Sequence, residues 1–115
     1  MRQKLPTRRC NITFPVQWGE MAFTLTVGFE ANTPTIATEV FADPANPKAK
    51  SQSLGPLLRD ACVLVSRELQ HGSTPAAMRA SLHTDKDYSG DRPGSVIGAI
   101  VEAITPERLA EVWNA

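Results

Sequence analysis

The chain has 115 residues, 42% of them hydrophobic and 21% charged, with 12 basic and 12 acidic side chains. That composition describes one globular domain and excludes wholesale disorder and fibrous repeats. No apolar run approaches the roughly 20 residues that span a bilayer, and MRQKLPTRRC has no hydrophobic stretch of the kind a secretory signal needs, so a cytoplasmic location without membrane contact is expected.

The neutral total hides an asymmetry. Arg2, Lys4, Arg8 and Arg9 give the first nine residues a charge of +4, leaving eight basic and twelve acidic groups for the rest. Residues 1–10 are read as a basic arm and 11–115 as a single domain. The arm, with Arg8 and Arg9 as its candidate contacts, is either a solvated tail or a contact for phosphates or an acidic partner.

In residues 11–18, Ile12, Phe14, Val16 and Trp18 alternate with Asn11, Thr13 and Gln17, the period of a half-buried strand. Pro15 lacks a donor and belongs at a sheet edge. After the turn Gly19-Glu20, residues 21–30 repeat the alternation and should pair with the first strand as a hairpin. A third strand is expected over Thr35–Phe41, then an exposed loop over 42–52 with two prolines and two lysines.

The period then changes to that of a helix. Leu54, Leu57, Leu58, Ala61, Cys62, Val65 and Leu69 share one face, Ser53 is available as N-cap, Pro56 fixes the start, and Gly72 stops the helix after His71. A short helix should open at Thr74-Pro75, with Met78 and Leu82 toward the core. The polar stretch 83–94 reads as a loop, Ser95–Ile104 as a third helix, and Thr105-Pro106-Glu107 as the start of a last one carrying Leu109 and Trp113. The fold class expected is α+β: a three-stranded antiparallel meander followed by three to four helices packed on one face.

Little in this pattern carries chemistry. There is no phosphate-binding glycine loop. Ser66 and His71 are five residues apart on one helix, about 140° around from each other, and do not form a nucleophile–base pair. Asp85, Asp87 and Asp91 lack the glutamate that closes a calcium loop. Two cysteines, Cys10 and Cys62, make neither a disulfide framework nor a zinc site, so no metal and no cofactor are expected. Arg59, Asp60, Arg67 and Glu68 read as helix-surface charges.

The run K-L-P-T-R-R, the hairpin ending F-T-L-T-V-G-F, then T-I-A-T-E-V-F-A, a lysine-containing loop, and R-D-A-C-V-L-V-S-R-E-L-Q-H-G resemble the TSCPD domain. That domain occurs at the C-terminus of adenosylcobalamin-dependent ribonucleotide reductases and as small free-standing proteins of bacteria and phages. The resemblance covers about residues 4–104, and its most specific pieces are Glu39-Val40-Phe41 and Ser66 with Leu69-Gln70-His71-Gly72. It implies an accessory module without catalytic activity of its own, tied to deoxynucleotide synthesis, with a reductase chain as partner. Cys10 stands near one cysteine position of the attached versions, whereas Leu82–Tyr88 holds no cysteine for the second. A thiol pair is therefore not implied.

Residues assigned to a ligand or partner surface are Arg8, Arg9, Glu39, Arg59, Asp60, Ser66, Gln70, His71 and Arg92. Two rival functions remain at this stage. One is weak nucleic-acid binding by the basic arm, which the acidic body disfavours. The other is a nucleotide-binding regulator or small enzyme with Arg59, Gln70, His71 and Arg92 around a shallow cleft. For assembly, the third strand is the edge without a proline and carries only Glu39 as a guard. A homodimer or heteromeric contact through that strand or the adjacent face of helix 54–71 is expected. The alternative is a monomer whose last helix covers the apolar surface through Leu109 and Trp113.

Overall fold

The computed structural model describes residues 10–29, 35–45, 54–87 and 90–114. Strands β1 (Cys10–Trp18), β2 (Met21–Phe29) and β3 (Ala37–Pro44) form an antiparallel sheet in the order β1-β2-β3. Helices α1 (Leu54–Gln70) and α2 (Pro75–Ser81) follow. After a second two-stranded ribbon, β4 (Thr84–Asp87) with β5 (Gly90–Pro93), come α3 (Val96–Ala103) and α4 (Pro106–Trp113). This is the expected α+β meander with four helices. Among the described residues, no helix is long and apolar enough to cross a membrane.

The period-two pattern sets which face is buried. Phe23, Leu25, Val27 and Phe29 of β2 are at most 1% exposed and meet Leu58, Ala61, Cys62 and Val65 of α1, Ile100 and Val101 of α3, and Leu109 of α4. The opposite face of β2 carries Ala22 and Thr24, both exposed. Three helix starts have the sequence chemistry expected of them. The side chains of Thr74, Ser95 and Thr105 accept hydrogen bonds from the backbone N–H of Ala77, Gly98 and Arg108, and prolines follow Thr74 and Thr105 in the first turn. Gly72, at φ +99°, ends the turn after α1 in a conformation that L residues rarely adopt. Ser53, the expected cap of α1, lies outside the described residues.

Two expectations need correction. The stretch 83–94 is not a loop throughout: β4 and β5 pair antiparallel, Thr84 opposite Pro93 and Asp85 opposite Arg92. Its strands are polar and Thr84, Asp85 and Lys86 are exposed, so no apolar alternation announces them. The ribbon is tied down at its base, where the Trp18 indole Nε1 donates to the Pro93 carbonyl at 2.9 Å and the Gly94 N–H donates to the His83 carbonyl at 2.9 Å.

The second correction concerns the sheet edges. Ser66 of α1 accepts from the Val40 N–H at 2.9 Å and donates to the Val40 carbonyl at 3.1 Å, so Val40 turns its backbone away from β2 and toward the helix. Gln70 Nε2 donates to the Thr38 carbonyl at 3.3 Å. The third strand, which also runs to Pro44 instead of ending at Phe41, is therefore an edge already occupied by α1. A partner strand cannot add at Val40 without displacing Ser66. Because backbone direction alternates along a strand, Val27, opposite Val40, points to β1. Its partner there is Ile12, which leaves Asn11, Thr13, Pro15 and Gln17 facing outward. Among the described residues the open edge is β1, and Pro15 sits on it where its missing donor costs nothing.

Candidate functional site

Because Ser66 meets Val40 and Gln70 meets Thr38, α1 runs antiparallel along β3. Between them, on the side away from the core, lies a groove of about 430 Å³. One wall is the outer face of β3, where Glu39, Phe41 and Asp43 follow at every second residue. The other is a stripe of α1, Arg59, Val63 and Arg67, four residues apart and hence on one helix face. Ser66 and Gln70 form the base, joining helix to strand. Phe41 is 57% exposed and Val63 53%, an unusual degree of exposure for two large apolar side chains that line one groove.

The floor is set by close packing. The Glu39 side chain lies over Gly28, where a Cβ would stand 2.7 Å from Glu39 Oε1 and 2.8 Å from its Cγ. Glycine is what lets the strand wall fold flat over β2 at this point. Thr38 Oγ1 donates to the Gly28 carbonyl at 3.0 Å, beside the register irregularity between Gly28 and Phe29. Gln70, 6% exposed, is a buried polar residue whose amide is spent on the strand.

Nothing in the groove is set up as a nucleophile. The Ser66 hydroxyl has its donor and one acceptor lone pair committed to Val40. Burial pushes the Cys62 thiol up to about 12 from its ordinary 9.0, so it stays protonated, and no histidine lines the groove. His83 faces Asp85 at 3.2 Å on the polar ribbon, and His71 is exposed in the turn after α1. Among the described residues, no three potential metal ligands cluster.

Of the residues singled out from sequence, Glu39, Arg59, Ser66 and Gln70 come together in this groove. Asp60 and His71 are exposed and do not line it. Arg92 lies elsewhere, in a separate cleft of about 390 Å³ with Trp18, Glu102 and Arg108. The cluster of Arg59, Gln70, His71 and Arg92 considered for a nucleotide is thus not assembled. Arg8 and Arg9 lie outside the described residues. Sequence reasoning missed Asp43, Val63 and Arg67 as groove residues. Their signal was present as a four-residue strand spacing from Glu39 to Asp43 and an eight-residue helix spacing from Arg59 to Arg67, but only the strand–helix register shows that the two coincide. A third depression, of about 420 Å³ and largely apolar, lies between α1, α2 and α3, with Leu64, Met78 and Ile97 in its wall.

Compared with family models, curated proteins and solved structures, the chain finds a match in none of the three. The fold and groove define the class of molecule on their own terms: an α+β domain whose first helix seals a sheet edge and leaves a charged, apolar-centred groove beside it.

Proposed function

We propose that this protein is a non-catalytic accessory module that works by protein contact in the cytoplasm, as its resemblance to the TSCPD domain implies. A ribonucleotide reductase chain is the partner that resemblance names, which ties the module to deoxynucleotide synthesis. The observation that carries the reading is the β3–α1 groove: Phe41 and Val63 exposed at its centre, acidic side chains on one wall and basic ones on the other. Apolar anchors ringed by charges of both signs suit a protein surface better than a phosphate, which two flanking carboxylates would repel. Its hydroxyl and thiol are both disarmed, as described above.

The test is a titration of purified protein with a reductase chain, followed by calorimetry, with Val63→Asp as the groove variant. Saturable binding that Val63→Asp weakens at least tenfold supports the reading. Absence of binding, or binding indifferent to the variant, refutes it. A thermal-shift series with nucleotides and deoxynucleotides should leave the melting temperature unmoved; a shift of several degrees would favour a nucleotide-binding regulator instead.

A further inference from the structure

Helix α1 turns a full face outward. Leu57, Val63 and Leu64 are each at least 50% exposed, three of the six large apolar side chains so placed among the described residues. Arg59, Asp60, Arg67 and Glu68 are exposed around them. The face forms a ridge, with the β3–α1 groove along one flank and the apolar depression beside α2 and α3 along the other. At about 100° per residue, Asp60 and Arg67, seven residues apart, fall within about 20° of one line along the ridge. Val63 and Leu64 straddle that line, about 50° to either side. Asp60 and Arg67 stand equally far, about 5 Å along the helix, on opposite sides of the midpoint between Val63 and Leu64. Among the described residues, no hydrogen bond or ion pair engages the Asp60 carboxylate or the Arg67 guanidinium.

We infer that this ridge is a pairing surface for a second copy of this chain, α1 packed antiparallel on α1 about a two-fold axis through the Val63–Leu64 midpoint. That axis sets Asp60 of one protomer level with Arg67 of the other, and the contact occurs twice, as a closed two-fold interface requires. Val63 meets Val63 and Leu64 meets Leu64 across the axis, so apolar area lies at the centre and the two ion pairs enclose it. Leu57, one heptad before Leu64, lengthens the apolar strip on that side. Two convex helix surfaces fit together because the side-chain ridges of each enter the furrows of the other. Arg59 and Glu68 lie at the margins, lining the groove and the depression, and Glu68 already accepts from the Ser73 hydroxyl at 2.7 Å; the pairing uses neither. A parallel pair would set Asp60 against Asp60 and Arg67 against Arg67, and like charges at that range repel. The order of charges thus fixes the pairing sense. Val63 and Arg67 also belong to the helix wall of the groove, so a copy paired on α1 and a partner in the groove exclude each other.

The test is sedimentation equilibrium of the full chain at low ionic strength, with Asp60→Lys and Arg67→Glu made separately. Both sites are solvent-exposed, and circular dichroism checks that each variant keeps its fold. The wild type should sediment at twice 12.5 kDa. Each variant faces like charges at two symmetric points and should dissociate, its dissociation constant rising about tenfold or more. An equimolar mixture of the two should recover a heterodimer. There the ammonium introduced in one chain meets the carboxylate introduced in the other, while the unaltered Arg67 and Asp60 meet at the symmetric point. The double variant, with both changes in one chain, should again form a homodimer. A wild type that stays monomeric at high micromolar concentration overturns the inference, as does a dimer indifferent to either variant, or variants that fail to pair when mixed or when combined in one chain. The accessory reading rests on reductase binding alone and survives a monomeric wild type.

Discussion

Ser66→Ala removes the single hydroxyl that both accepts from the Val40 N–H and donates to the Val40 carbonyl. Each bond contributes about 1 kcal/mol net, and the half-buried edge groups left behind gain little from water, so the loss is about 2 kcal/mol. Alanine is the better helix former by about 0.5 kcal/mol, which offsets part of it. The net destabilisation is then about 1.5 kcal/mol, a fall in melting temperature of roughly 6 °C for a domain of this size. Urea unfolding should show a lower midpoint at unchanged slope, since the surface exposed on unfolding hardly changes. Hydrogen exchange gives the local readout: the Val40 amide should lose protection while amides of β2, such as Val27, keep theirs relative to global stability. A loss below about 0.5 kcal/mol with Val40 exchange unaltered would refute the view that α1 is clamped to the strand through this residue.

Gly28→Ala should cost about 1–2 kcal/mol in urea unfolding because its Cβ meets Glu39, and in a double-mutant cycle with Glu39→Ala most of that cost should disappear. For Cys62, the folded thiol ionises near 12 and the unfolded one near 9.0, so the unfolded state releases its proton first. Its contribution to stability is full below pH 9 and is lost as pH rises from 9 to 12; Cys62→Ala should flatten the alkaline limb of the stability profile by about one proton. A thiol reagent at about pH 8 should label Cys10, which is exposed, at once and Cys62 only as fast as the chain opens. Trp18→Phe keeps an aromatic ring but removes the donor to Pro93, and should cost about 1 kcal/mol and raise exchange at Gly94.

What can be read from the sequence follows the physics of each element. β1, β2 and α1 bury one face against a common core, so solvent imposes periods of two and 3.6 that are visible in any window. The capping residues Thr74, Ser95 and Thr105 act within four residues and are equally local. Of the β4–β5 residues whose burial is described, Pro93 is buried while Thr84, Asp85, Lys86 and Arg92 are exposed, and so they carry no alternating period to detect. The edge of β3 is illegible for a related reason. Val40 and Ser66 are 26 residues apart, and a serine inside an apolar helix pattern gives no hint of reaching a strand backbone. The groove is half legible: Glu39, Arg59, Ser66 and Gln70 stand out, whereas Asp43, Val63 and Arg67 each look like ordinary surface until strand and helix are laid side by side.

The sealing of β3 by the helix that follows it has a consequence for synthesis. The strand leaves the ribosome well before Ser66 and Gln70, the residues that satisfy its outer backbone groups. Until α1 has emerged and docked, a nascent chain presents Thr38, Val40 and Ala42 as an unguarded template, since the first proline on that row is Pro44. Products truncated before Ser66 should therefore be the aggregation-prone species, and slow translation through α1 should lower the soluble yield.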